Sequence, residues 1–366
     1  MRPVLDLAKE YGLVLDGGGA RGAYQIGAWK ALREAGVKIK AVAGTSVGAL
    51  NGALICMGDL EKAETIWREM TFSTVMDVDD EEMEGWFSGE TSVRDILRTL
   101  WEKIKDGGVD ITPLRNLIHQ VIDEEKIRNC GKEFCLSTFS LTDKKELTLS
   151  VADIEEGLLE DFLLASAYLI GFKNEPLHGK KYTDGGIANN VPVNSLLERG
   201  YEDLIVVRIH GPGWEQRVKL PEDGTVYEVS PRVKLGSILE FSTRRSRQNL
   251  TIGYYDMKRV LYGLEGRIYY LEQTHEDDYY SRLLEPLKEI EKAEIAFVLK
   301  LSLGNNDKEL YMGMLEAAAK LLRIPKYRIY TVDQLFEMVY KKYITLEDQM
   351  NLPRFVHVLM ELKEGN

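Results

Sequence analysis

Residues 12–48 read GLVLDGGGARGAYQIGAWKALREAGVKIKAVAGTSVG, and this stretch decides the fold. It opens on a short apolar run, 12–16, bounded by glycine, which predicts a buried strand. A glycine-rich loop, 17–22, follows. Residues 23–35 place Tyr24, Ile26, Trp29 and Leu32 among the apolar positions of a helix that stops at Gly36. Residues 37–43 predict a second strand, and 44–48 turn into a second helix over 49–57. Strand, helix, strand, helix at such short spacing is the mark of a parallel α/β sheet.

Working outward, 61–129 is mostly helical in pattern, with an acidic interruption at 77–84 beside Trp86 and Phe87. Strand-like runs return at 133–139, 146–151 and 204–210, and a late strand is expected at 267–271. A helix is expected over 161–167. Beyond that the texture changes. Residues 278–301 and 308–323 read as helices, and 331–343 opens with Thr331 and Gln334 at capping-box spacing. The expected organisation is an α/β unit over residues 1–271, with 61–129 as a helical insertion. Residues 272–366 form a helical C-terminal extension.

Composition narrows the function. The chain of 366 residues is 44% hydrophobic and 29% charged, an ordinary globular balance. Its formal net charge of -12 argues against a nucleic-acid partner. Three cysteines (Cys56, Cys130, Cys135) without a CxxC pair suggest neither a disulfide framework nor a zinc ribbon. Five histidines lack metal-ligand spacing, so no metal and no cofactor are expected. No apolar run is long enough to cross a bilayer, and 1–10 lacks the apolar run of a signal peptide. A cytoplasmic protein, at most peripheral at a membrane, is expected.

Two short motifs carry the chemistry. Gly17, Gly19 and Gly22 satisfy G-x-G-x-x-G between a strand and a helix, the dinucleotide-binding pattern. Backbone N–H groups in such a loop, with the positive end of the following helix, bind an anion. That anion is either a pyrophosphate or the oxyanion of an acyl-transfer intermediate. A dinucleotide site asks for an acid at the end of the second strand. This strand instead ends in Gly44-Thr45-Ser46-Val47-Gly48, a G-x-S-x-G turn that presents a serine above a sheet edge. The plain alternative is a glycine-rich turn with a helix-capping serine.

A nucleophilic serine needs a base. Asp184 lies in Asp184-Gly185-Gly186, which also reads as a common Asp-Gly turn. Taken in order, Gly17-Gly18-Gly19-Ala20-Arg21-Gly22, then Gly44-Thr45-Ser46-Val47-Gly48, then Asp184-Gly185-Gly186 resemble the patatin-like phospholipases. The resemblance spans about residues 11–209. It implies a three-layer α/β/α fold with a mainly parallel central sheet. It also implies a Ser46–Asp184 dyad, and an oxyanion hole from the loop Gly17, Gly18, Gly19, Ala20, Arg21 and Gly22. Ala165-Ser166-Ala167 resembles a further family segment. That segment usually continues with a proline before its glycine, where this chain has Ile170 before Gly171.

The function so implied is cleavage of carboxylic esters of phospholipids, lysophospholipids or acylglycerols through an acyl-enzyme on Ser46. The partners are a lipid or other ester substrate and a transient membrane-surface contact. A Ser46-Asp184-His210 triad is the rival within hydrolases, since 204–210 ends in His210. A nucleotide-binding protein and a non-catalytic lipid-binding module stand as readings of another class. In the 61–129 insertion, read as a lid or groove wall, Trp67, Met70, Phe72, Trp86, Phe87 and Trp101 are available to wall an acyl groove, but most of them read first as ordinary core and surface packing of helices. Arg21 reads as a solvated loop charge before it reads as a ligand for a substrate phosphate. Arg244, Arg245, Arg247, Lys258 and Arg259 read as a solvated helix face.

Overall fold

The computed structural model describes residues 1–88, 107–222, 224–301 and 306–364. Contacts divide the chain into two compact units, Leu5–Val260, and Leu261–Asn366 together with Met1–Val4. This moves the expected boundary at 271/272 toward the N-terminus.

The larger unit is built on a seven-stranded sheet. Its strands are β1 (Glu10–Leu15), β2 (Lys38–Thr45), β3 (Glu133–Ser140), β4 (Lys145–Ser150), β5 (Tyr182–Asp184), β6 (Leu204–Val207) and β7 (Val226–Val229). The order is β4-β3-β2-β1-β6-β7, with β5 paired to β3. The pairs β1–β2, β1–β6, β2–β3 and β6–β7 are parallel, while β3 is antiparallel to β4 and β5. The chain starts in the middle at β1, walks outward through β2 and β3, and returns to β1's other side with β6. Ligands of open α/β sheets bind where the order reverses, at the carboxyl ends of the strands. The loops that leave β1 and β6 lie at that point, and the loop that leaves β2 is next to them.

Alternation along β2 sorts its side chains between two layers. Ala41 and Ala43 pack with Val191 and Leu196 on the face covered by helix Val193–Leu197. Val42 and Phe134 lie against Gly52 of α2 (Val47–Met57) on the other face. Helix α1 (Ala23–Glu34) also packs on α2. The three-layer α/β/α arrangement follows. Cys56 is buried within α2.

Three expected elements differ. The run 204–210 stays paired only to Val207, because the N–H groups of Ile209 and His210 turn to the carboxylate of Asp16. The late strand is β8 (Tyr270–Glu272), and it pairs with β9 (Ile329–Thr331) in the smaller unit. The buried Glu316 accepts the N–H groups of Arg267, Ile268 and Tyr269 at 2.8, 2.9 and 2.7 Å. The segment leading into β8 is therefore held by the helices of the C-terminal unit. The apolar core of that unit includes Leu271, Leu284, Met314, Leu315, Tyr330, Leu335 and Leu359. The helix expected over 278–301 is two, Asp277–Leu284 and Glu289–Val298, separated at Pro286. The Thr331–Gln334 capping box is formed.

Gly48 packs its α-carbon against the end of β1, where an added Cβ would overlap the Leu15 carbonyl oxygen. Backbone cannot yield as a side chain can. Gly48→Ala is expected to lower stability by about 1–3 kcal/mol. Urea denaturation would read this as a reduced midpoint at unchanged slope, and an unchanged midpoint would refute the close approach.

Candidate active site

Ser46 stands between β2 and α2 with φ 57° and ψ -127°. Residues with a Cβ rarely take a positive φ, and such strain costs on the order of 1–3 kcal/mol. The turn is tight: a Cβ on Gly44 would overlap the Gly48 carbonyl. The Ser46 N–H donates to Ser166 Oγ at 2.8 Å, and Ser166 Oγ donates to the Ser137 carbonyl at 2.6 Å. Thr45 Oγ1 donates to the Asn189 carbonyl at 3.0 Å. The elbow is thus tied to β3 and to the chain that follows Asp184.

Strand β5 is three residues long, and its register explains its position. Thr45 of β2 pairs with Ser137, and the next residue of β3, Thr138, pairs with Asp184. Asp184 therefore arrives beside the end of β2. The Asp184 N–H donates to the Tyr168 carbonyl at 2.8 Å. The 168–171 turn forms with Ile170 exposed and Gly171 at φ 101°, without the proline of the family segment.

Asp184 is buried, at 6% exposure, and Ser46 at 4%. Asp184 Oδ1 accepts the Gly186 N–H at 2.8 Å, while Oδ2 is buried and makes no hydrogen bond to the described residues. Burial pushes the carboxyl up to about 6, against the Ser46 hydroxyl and the Gly186 N–H, which favour the ionised form. The hydroxyl acts from close by without meeting hydrogen-bond geometry. A carboxylate at about 6 is a stronger base than ordinary aspartate at 3.8 and is still mostly ionised at neutral pH.

The glycine loop lies alongside. A Cβ built on Gly17 would stand 3.2 Å from the Ser46 Cβ. Of its N–H groups, Gly17 donates to Asn190 O, Ala20 to Ile238 O and Arg21 to Gly18 O. These three are taken, which narrows the loop's candidate oxyanion donors. Gly18 and Gly19 are the loop positions whose N–H groups have no acceptor among the described residues outside the short 3-10 turn Gly19–Gly22. The start of α2 at Val47 adds a helix N-terminus beside the serine.

Side chains that the sequence does not single out hold this loop. Asp16 is fully buried and accepts the Ile209 N–H at 2.8 and 3.0 Å and the His210 N–H at 3.1 Å. Burial pushes its carboxyl up to about 7, against the Ile209 N–H, the Arg208 guanidinium and the His210 N–H. Asn190 donates to the carbonyls of Gly17 and Gly211. Arg21 is not a solvated charge: it donates to the carbonyls of Gly236, Ile209 and His210. The signals were an acid ending an apolar strand and an asparagine pair following Asp-Gly-Gly.

His210 is exposed and shares a 2.7 Å hydrogen bond with Ser230 Oγ, so its ring is engaged away from Asp184. Four of the five residues of the basic cluster are also engaged. Arg245 pairs with Glu240, Lys258 with Glu34 and Arg259 with Asp256, and Arg247 donates to the Arg68 carbonyl.

An apolar cavity opens on Ser46. It runs between α2, helix Leu60–Glu69 and helix Thr112–Val121, lined by Leu50, Leu54, Ile66, Trp67, Met70, Ile118 and Phe241 among others. Trp67 and Met70 line this cavity, whereas Phe72 is buried and stacks on Phe87 at 5.5 Å. Trp101 lies outside the described residues. No group of three or more His, Cys, Asp or Glu side chains among the described residues could hold a metal ion. No helix among them is long and apolar enough to cross a membrane.

The family profile described as Patatin-like phospholipase matches residues 13–197, about half the chain. The chain belongs to the patatin-like phospholipase family. A Caenorhabditis elegans patatin-like phospholipase domain-containing protein is 31% identical over 208 residues, 53% of this chain and 13% of that protein. The Drosophila melanogaster neuropathy target esterase sws is 29% identical over 209 residues, 54% of this chain and 13% of that protein. The human patatin-like phospholipase domain-containing protein 6 is 29% identical over 201 residues, again 54% and 13%. The chain therefore matches about an eighth of the length of these relatives. Among solved structures, VipD from Legionella pneumophila aligns over 97% of this chain and 85% of its own at 14% identity, with a TM-score of 0.41.

The strained elbow has a thermodynamic signature. Ser46→Gly removes the Cβ that makes the positive φ unfavourable, so it is expected to raise stability by about 1 kcal/mol. Thermal melting of the two proteins checks this, and a lower melting temperature for Ser46→Gly would count against a strained turn.

Proposed function

We propose that this patatin-like chain is a lipid acyl hydrolase in which Ser46 is the nucleophile and Asp184 the general base. One observation carries the reading. A strained serine and a buried, raised-pKa carboxylate share the carboxyl edge of the sheet, beside an apolar cavity. In the first step Asp184 takes the Ser46 proton as Oγ attacks the ester carbonyl carbon. The carbonyl oxygen gains the charge, and the N–H groups of Gly18 and Gly19, with the N-terminus of α2, are the donors that stabilise it. Collapse of the tetrahedral intermediate releases the alcohol, protonated by Asp184, and leaves the acyl group on Ser46. A water, deprotonated by Asp184, then attacks the acyl-enzyme, and the bond to Ser46 Oγ breaks to free the fatty acid as the proton returns from Asp184 to Oγ.

The base also shapes the substrate range. A carboxylate near 6 is a weaker base than the imidazole of most serine hydrolases, which favours esters over amides. The cavity is almost wholly apolar, so it accepts a hydrocarbon chain and gives a dinucleotide no polar partners. Phospholipids, lysophospholipids and acylglycerols all present such a chain. A transient contact with a membrane surface follows from substrates of that kind.

A fluorophosphonate probe tests the nucleophile. Wild type is expected to label, and Ser46→Ala to lose labelling together with at least about 10³-fold of its esterase activity. Equal labelling of both proteins would sink the reading by placing the nucleophile elsewhere, and labelling of neither would leave a non-catalytic lipid-binding module.

The base is tested by pH. The kcat/KM profile is expected to rise with pH through about 6, as Asp184 ionises. The sign for stability is opposite. The unfolded carboxyl ionises near its ordinary value of 3.8, so this group makes the fold less stable as pH rises from there through about 6. Asp184→Asn is therefore expected to lose activity yet be at least as stable as wild type at neutral pH. A variant both inactive and unfolded would remove the evidence for a base.

A further inference from the structure

We propose that the cavity beside Ser46 is a ruler for the acyl chain, with Leu54, Val121 and Ile122 marking its far end. The proposal rests on the ester-hydrolase reading of Ser46 and adds the chain length that the site selects.

Two helices give the scale. On α2 the lining residues Ser46, Leu50 and Leu54 recur at intervals of four, which puts them on one face. Leu54 is eight residues beyond Ser46, about 12 Å along the axis at about 1.5 Å per residue. On helix Thr112–Val121 the lining residues Leu114, Leu117, Ile118 and Val121 form a second stripe. That stripe is about 10 Å long by the same rise.

Both stripes run the same way. The Leu114 end lies toward the segment that holds Asp184: Arg115 donates to the Tyr168 hydroxyl at 3.4 Å, and the carbonyl of the same tyrosine accepts the Asp184 N–H. The Val121 end lies away from it, since the Val121 carbonyl accepts Lys62 Nζ at 3.1 Å. Lys62 is in the first turn of helix Leu60–Glu69, which starts just past the C-terminal end of α2. A chain acylated on Ser46 therefore travels along α2 toward Lys62.

Its reach follows. An extended hydrocarbon advances about 1.25 Å per carbon, from C–C bonds of about 1.5 Å at tetrahedral angles. About 12 Å then accommodates roughly eight to ten carbons. A longer chain leaves the apolar walls and meets an ammonium group and a backbone carbonyl, where burial of a further methylene brings no gain.

The test is a series of p-nitrophenyl esters with acyl chains from about four to about sixteen carbons. kcat/KM is expected to rise about fourfold per added carbon and to break at about ten carbons. Leu54→Ala should move the break about two carbons longer, and Leu54→Phe about two carbons shorter. Ile122→Phe, at a half-buried position, serves where a Leu54 variant fails to fold, and should also shorten the break. A second arm reads the ruler without turnover, using calorimetric binding of saturated fatty acids to Ser46→Ala. A break at about ten carbons there, in a wild type that cleaves no ester, keeps the ruler and discards the hydrolase reading. Ester cleavage whose break stays fixed in every variant overturns the ruler alone. Absence of fatty-acid binding at any length overturns it as well.

Discussion

The backbone of Ser46 sits at φ 57°, and the carboxyl edge of the sheet is arranged around that single residue. A strand must end, a side chain must be lifted above the edge, and a helix must start, all within one residue. Gly44 and Gly48 allow this because neither position has room for a Cβ. The cost of the turn, on the order of 1–3 kcal/mol, has to be met by the surroundings. The buried polar contacts supply it. Ser166 takes the Ser46 N–H, Asn189 takes the Thr45 hydroxyl, and both anchor to segments that also border Asp184.

The second tier of contacts acts on the glycine loop. Asp16, Arg21 and Asn190 fasten it to the backbone at 209–211 and 236. Their targets are N–H and C=O groups that a sheet edge would otherwise leave unpaired. The buried carboxylate of Asp16 accordingly ends β6 early and bends the chain at His210. Two carboxylates thus meet the same low-polarity edge with different outcomes. Asp16 satisfies two backbone N–H groups and is structural. Asp184 satisfies one N–H and keeps an oxygen without a hydrogen bond to the described residues, which is the state a proton acceptor requires.

Much of this was legible in the order of motifs along the chain. The strand–loop–helix–strand–elbow series at 12–57 is local, with patterns set by neighbours in sequence, and it reads correctly to within a residue or two. What failed to read depends on distant partners. Strand β5 is three residues long, and its pairing with β3 alone makes it a strand. Strand β8 looks like the close of the α/β unit until β9 pairs with it. Arg21 looks solvated because its acceptors lie at 209, 210 and 236. His210 ends an apolar run at the expected sheet edge, yet a bend the run does not encode turns its ring to Ser230.

Helix α2 joins the two halves of the site. Its N-terminus starts at Ser46, and one of its faces walls the cavity. A polar residue, Asn51, lies on that wall, which would spoil an apolar channel if its amide were unpaired. Its side chain is used up instead. Nδ2 donates to the Gly22 carbonyl and to Gln25 Oε1, and Oδ1 accepts from Trp67 Nε1 at 2.9 Å. Gln25 in turn donates to the Asp16 carbonyl at 2.8 Å. The indole that lines the cavity, the glycine loop and the end of β1 are therefore links of one buried hydrogen-bonded chain. Such networks favour one arrangement strongly over partly satisfied ones. The wall that would receive the acyl group and the loop that would receive the oxyanion are held in register by the same set of side chains.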